Sequence, residues 1–207
     1  MTKGQSLVEL AILLPVLAMA LAGMVEVSNL LITQNRITTA ARTAAGYGAA
    51  NYDPHDWQGT AMDMGQVALN TVTETLKLSE SRWDVWSVYA TTNEAGDGFD
   101  SFDAVHVVGS NDVITDAEWA VIEGVVQNDV LSELQSTGID SSGNLEVVAS
   151  VAYHQIESIL GLPVWRWAGL KTLRGFTVMR VSELAPNVNC PLLPISVHYN
   201  QYSIYPS

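Results

Sequence analysis

The sequence holds a single cysteine, Cys190, in 207 residues. One thiol excludes an intrachain disulfide and a cysteine-built zinc site. Its default place is that of a small buried apolar side chain. Outside the cell it would be a free thiol or an intermolecular partner. Basic residues are also scarce. There are nine Lys plus Arg against 22 Asp plus Glu, for a formal net charge of −13. Such a surface repels phosphate backbones, so no nucleic-acid partner is expected. The four histidines, His55, His106, His154 and His198, lie far apart and lack metal-ligand spacing. There is no Gly-rich phosphate loop, no His-Glu-x-x-His and no Gly-x-Ser-x-Gly. The chain is therefore not expected to be an enzyme.

What is present is concentrated at one end. Hydrophobic residues make up 48% of the chain and charged residues only 15%. That balance directs attention to a local membrane segment. Leu10 to Val25 carries no charge and no strongly polar side chain. Beyond Glu26 the apolar character resumes at Val27, Leu30, Leu31 and Ile32. A membrane helix needs about 20 residues, and 10–32 supplies them. Lys3 precedes the run and favours a cytoplasmic N-terminus. A secretory signal peptide is the competing reading, with Ala18-Met19-Ala20 as its cleavage motif. That reading leaves Glu9 unexplained, because a carboxylate at the edge of a span is costly and calls for a partner.

The residues around Glu9 supply a reason for it. Met1-Thr2-Lys3-Gly4 followed by Gln5-Ser6-Leu7-Val8-Glu9 resembles the type IV prepilin signal. In that family a short leader ending in glycine is removed, and a glutamate stands at the fifth position after the cut. The resemblance implies processing by a prepilin peptidase between Gly4 and Gln5. The new α-amino group on Gln5 would pair with Glu9 of a neighbouring subunit, which favours assembly over an unpaired charge in lipid. Leu14-Pro15, Gly23-Met24-Val25-Glu26-Val27 and Ala40-Ala41-Arg42 extend the match. Together these motifs resemble the TadE/TadG family, minor pilin-like proteins of the tight-adherence pilus system. Leu10 stands where members commonly carry phenylalanine, a mild departure.

The resemblance implies a membrane-anchored pilin or pseudopilin with its C-terminal domain outside the cytoplasmic membrane. It would assemble into or at a surface pilus serving adhesion or pilus biogenesis. The implied partners are prepilin peptidase, other pilin subunits, the pilus assembly machinery and membrane lipid. The assembly residues are Glu9, Pro15 and Glu26. Pro15 removes a backbone donor and would kink or locally melt the span. Glu26 is either a residue at the outer headgroup level or a second inter-subunit contact, with Asn29 or Arg36. Glu9 and Glu26 project about 100° apart around the helix and do not form one site. Two alternatives stand beside this reading. One is an anchored binding module that never polymerises. The other is the major subunit of a filament built from large pilins.

The remaining chain predicts an α+β domain, an antiparallel sheet packed on helices. The expected divisions are a leader over 1–4, an assembly helix over 5–50, a domain over 51–185 and an extended arm over 186–207. Within the first helix, alanines 40, 41, 44 and 45 form a stripe that continues the helix to about Gly46. Further helices are expected over 60–78 and 115–134, the second opened by the capping box Thr115–Glu118. Strands are expected over 82–90, 104–108, 145–156 and 173–182. Trp86 breaks the alternation of the first strand and leaves its facing open. The apolar segment 151–171 reads as core, a hairpin excursion or a partner surface.

The prolines and tyrosines after Pro186 suit an arm packed on the domain. The stretch Asn93 to Asp103 offers Glu94, Asp97, Asp100 and Asp103 as oxygen ligands for calcium, without EF-hand spacing. The plainer reading is a solvated acidic loop.

Overall fold

The computed structural model describes residues 3–75, 82–109, 113–138, 141–156, 158–161 and 171–181. The expected C-terminal arm, Cys190 and the apolar residues 162–170 lie outside them. The elements are α1 (Lys3–Ala50), α2 (Trp57–Asn70), β1 (Trp83–Thr92), β2 (Phe99–Gly109), α3 (Asp116–Ser136), β3 (Glu146–Gln155) and β4 (Thr172–Arg180). The strands form one antiparallel sheet in the order β2-β1-β3-β4. The class is α+β, as the sequence predicts.

The sheet is covered on both faces, and this explains the ambiguous first strand. Trp86, Val88 and Ala90 of β1, with Val147, Ala149, Val151 and Tyr153 of β3, pack against Trp119, Ile122, Val126, Val130 and Leu134 of α3. Trp83, Val85, Val148 and Ala152 face the other way, toward Ile37, Ala40, Ala41 and Ala44 of α1 and Met64 and Ala68 of α2. A central strand buried on both sides need not alternate between apolar and polar. Trp86 therefore does not break the strand. It stacks on Trp119, with ring centroids 4.0 Å apart, and on His106 at 4.6 Å.

Local signals set most boundaries. α3 opens with the expected box: Thr115 Oγ1 accepts from the Glu118 amide, and the Glu118 carboxylate accepts from the Thr115 amide. α2 starts earlier than its apolar pattern suggests, because the Asp56 carboxylate accepts the Gly59 amide at 2.9 Å. It passes into a π-helical stretch at Thr71–Thr75. β2 is longer than expected and takes in Phe99 to Asp103. As an edge strand it has less need of apolar residues.

α1 and β4 run side by side in the same direction. Gln34 Nε2 donates to the Arg174 carbonyl at 2.7 Å, Ile37 meets Gly175, and Gly46 faces Met179. Gly175 is required by that approach. A Cβ there would come within 2.8 Å of the Ile37 carbonyl carbon and oxygen. On the opposite face, Arg174 Nη1 donates to Asp129 of α3 at 2.6 Å. One β4 residue thus ties both helical layers to the sheet.

Candidate functional site

α1 is one unbroken helix with two environments. From Val8 through Leu21 every side chain is exposed. Val8, Leu10, Ile12, Leu13, Leu14, Val16, Leu17, Met19 and Leu21 are large apolar groups with no cover from the domain. From Glu26 onward one face is buried: Leu30, Ile37, Ala40, Ala41, Ala44 and Ala45. The exposed part is apolar all round apart from Glu9, a composition that suits a membrane span better than a surface helix. The helix is long and apolar enough to cross a bilayer.

The sequence-predicted residues fall along this helix. Gly4 and Gln5 lie at its start. Glu9 is exposed, below every contact the domain makes with α1. Pro15 stands inside the helix, which continues through it without a break. Glu26 is different. It is only 1% exposed. Its Oε1 accepts from Ser158 Oγ at 2.6 Å and from the Leu160 amide at 2.7 Å. Glu26 is therefore a buried carboxylate with hydrogen-bond donors from its own chain rather than an exposed side chain. The physical reason is that a buried carboxylate needs donors, and the β3–β4 connection brings them. Sequence reasoning missed Ser158 and Leu160, which stand more than a hundred positions away and carry no motif.

The acidic stretch is divided between a turn and an edge strand. Asp97 is turned onto Asn93, whose Nδ2 donates to its carboxylate at 2.8 Å. Asp100 is the extra residue of a β-bulge, where Thr92 opposes Phe99 and Thr91 opposes Ser101. Asp103 pairs opposite Tyr89 in the ladder, while Glu94 lies in the turn before β2 and accepts the Gly143 amide through its backbone carbonyl. Among the described residues no group of three or more His, Cys, Asp or Glu is placed to hold a metal ion. What was read as one loop is a turn plus half of an edge strand.

Two histidines sit in structural surroundings. His106 lies 3.4 Å from the buried Asp84, whose other oxygen accepts the Ile114 amide at 2.7 Å. That arrangement pins the entry to α3. His154 meets Trp83 edge-on at 4.6 Å. Burial, helped by the nearby Arg82 charge, pushes its pKa down to about 4.

With this geometry in place, the comparison with known families bears on α1 alone. Residues 4–46 match the model of TadE-like proteins. The N-terminal segment is TadE-like. The match spans the apolar run and the whole alanine stripe, and stops short of the sheet domain. No curated protein and no solved structure matches the chain. The TadE-like segment and the apolar helix together fit a membrane-anchored, pilus-associated protein.

Proposed function

We propose that this chain is a pilin-like subunit of a tight-adherence type pilus, anchored and assembled through α1. Prepilin peptidase would cut between Gly4 and Gln5, and the domain would stand outside the cytoplasmic membrane. The subunit would then join other pilin subunits and the assembly machinery at the cell surface, serving adhesion or pilus biogenesis. The role is structural, with no reaction catalysed. The observation that carries this reading is the bare half of α1. An exposed apolar helix with one carboxylate near its start, Glu9, fits lipid before assembly and neighbouring helices after it.

Glu9→Ala tests it. Processing is expected to continue, read by N-terminal sequencing from Gln5, while filament assembly and pilus-dependent attachment are lost. Unchanged assembly would remove the role given to Glu9 and favour the anchored module that never polymerises. A mature chain starting at Met1, or after Ala20, would refute the prepilin reading outright.

A further inference from the structure

The globular domain carries its own exposed apolar edge, at the level where α1 leaves the bare span. The segment 158–161 lies between β3 and β4, in a connection closed by the bond from the Ile156 amide to the Lys171 carbonyl. Ser158 and Leu160 hold Glu26 of α1. Helical side chains lean toward the N-terminus, so the Glu26 carboxylate lies over the preceding turn. That turn contains Ala22 and Gly23, the first half-covered residues of the helix after the fully exposed stretch. The 158–160 strip therefore sits beside the last turn of the uncharged run 10–25.

Its two large side chains do not turn inward. Ile159 is 60% exposed and Leu160 48%. Near that level Val27, Leu31 and Ile32 are exposed as well, on the side of α1 away from its buried face. Large apolar side chains thus stay exposed at this level both on α1 and on the domain strip beside Glu26. At about 1.5 Å per residue, 8–27 already accounts for roughly 30 Å of hydrocarbon. The residues above it belong in the headgroup region. An apolar edge set at the level where a membrane span ends has the bilayer itself as its nearest occupant.

We propose that Ile159 and Leu160 form a second membrane contact, entering the headgroup–acyl boundary of the bilayer that α1 crosses. Glu26 is the latch that holds them there. The latch lets a carboxylate sit at the membrane edge, because two donors of the chain satisfy it in place of water. The consequence is a domain seated at a fixed height and tilt on the lipid surface rather than swinging on its helix. This inference rests on the reading of α1 as a membrane span, and the experiment separates the two.

The full chain, with Cys190→Ser, is reconstituted at high dilution in phosphatidylcholine–phosphatidylglycerol vesicles. Single cysteines at Leu17, Ile159 and Val121 carry an environment-sensitive fluorophore. Val121 is 77% exposed on α3, across the sheet from α1. The Leu17 label is expected to be quenched by lipids carrying a deep quencher, which establishes the span. The Ile159 label should be quenched by a headgroup-level lipid quencher and shielded from aqueous iodide, at a depth of about 5–10 Å. The Val121 label should show only iodide quenching. Glu26→Ala should return the Ile159 label to iodide accessibility while the Leu17 label stays in lipid. An Ile159 label that behaves like Val121, with Leu17 in lipid, overturns the second contact and leaves the span standing. Shielding that disappears on further dilution assigns the edge to a neighbouring subunit and also overturns the proposal. A Leu17 label open to iodide removes the span and the proposal with it.

Discussion

The two halves of α1 share one backbone and obey different rules. From Val8 to Leu21 the helix is apolar apart from Glu9 and bare on every side. Above Glu26 the buried positions are mostly small, with alanines 40, 41, 44 and 45 fully covered. Small side chains let the helix lie close on β4 and α2, so packing there depends on shape. From Val8 to Leu21 no described part of the chain covers the helix, and what matters there is transfer into lipid. The same substitution should therefore fail in different ways on the two sides of Glu26.

Aspartate makes the sharpest contrast. Ile37→Asp places an unpaired charge at a fully buried position facing Gly175. It should destabilise the domain by on the order of 4 kcal/mol or more and abolish protease resistance in detergent. Leu17→Asp should leave that resistance intact and instead lower membrane retention, at a cost of about 2.5–3.5 kcal/mol of insertion. Equal loss of resistance in both variants would erase the division at Glu26.

Valine for glycine is a gentler version. Gly175→Val drives a branched side chain into the Ile37 backbone and should cost about 1–3 kcal/mol in urea unfolding. A Cβ added at Gly23 meets nothing within 4 Å, so Gly23→Val should leave the unfolding midpoint unchanged. Any effect of Gly23→Val would have to come from lipid or a neighbouring helix.

The smallest effect is a pH slope from the sheet that the packed half lies on. His154 takes a proton near 6.5 when unfolded but only near about 4 in the fold. Between those values the unfolded chain binds more protons, so stability falls as pH drops from about 6.5 to about 4 and levels off below. The loss should be about 1–3 kcal/mol. His154→Phe keeps a ring against Trp83 and should flatten this part of the profile. A profile unchanged by the substitution would place the acid sensitivity elsewhere.

Most of the fold was legible in the sequence, because its signals are local. The capping box at Thr115 and Glu118 placed α3, and the alanine stripe placed the upper part of α1. The errors occurred where a residue answers to something distant. Trp86 looked misplaced because a strand was assumed to have a wet face, and the second helical layer removes it. Asp100 and Asp103 read as loop ligands because they lie on an edge strand, where polar residues are tolerated. Asp56 caps α2 ahead of its apolar pattern, which begins only at Ala61 and Met64. In the candidate site, Gly4, Gln5 and Glu9 stand in a contiguous motif and were visible at once. The partners of Glu26 were not, because no periodicity links Ser158 and Leu160 to a helix so far upstream.

The parallel course of α1 and β4 has a mechanical consequence. Any tension carried along α1 meets the domain as shear, spread over the whole seam from Gln34 and Ile37 to Gly46 and passed through Arg174 to α3. Contacts loaded in shear must give way together, whereas contacts peeled from one end yield in turn. A domain joined this way would bear a pull on its anchor as a single unit.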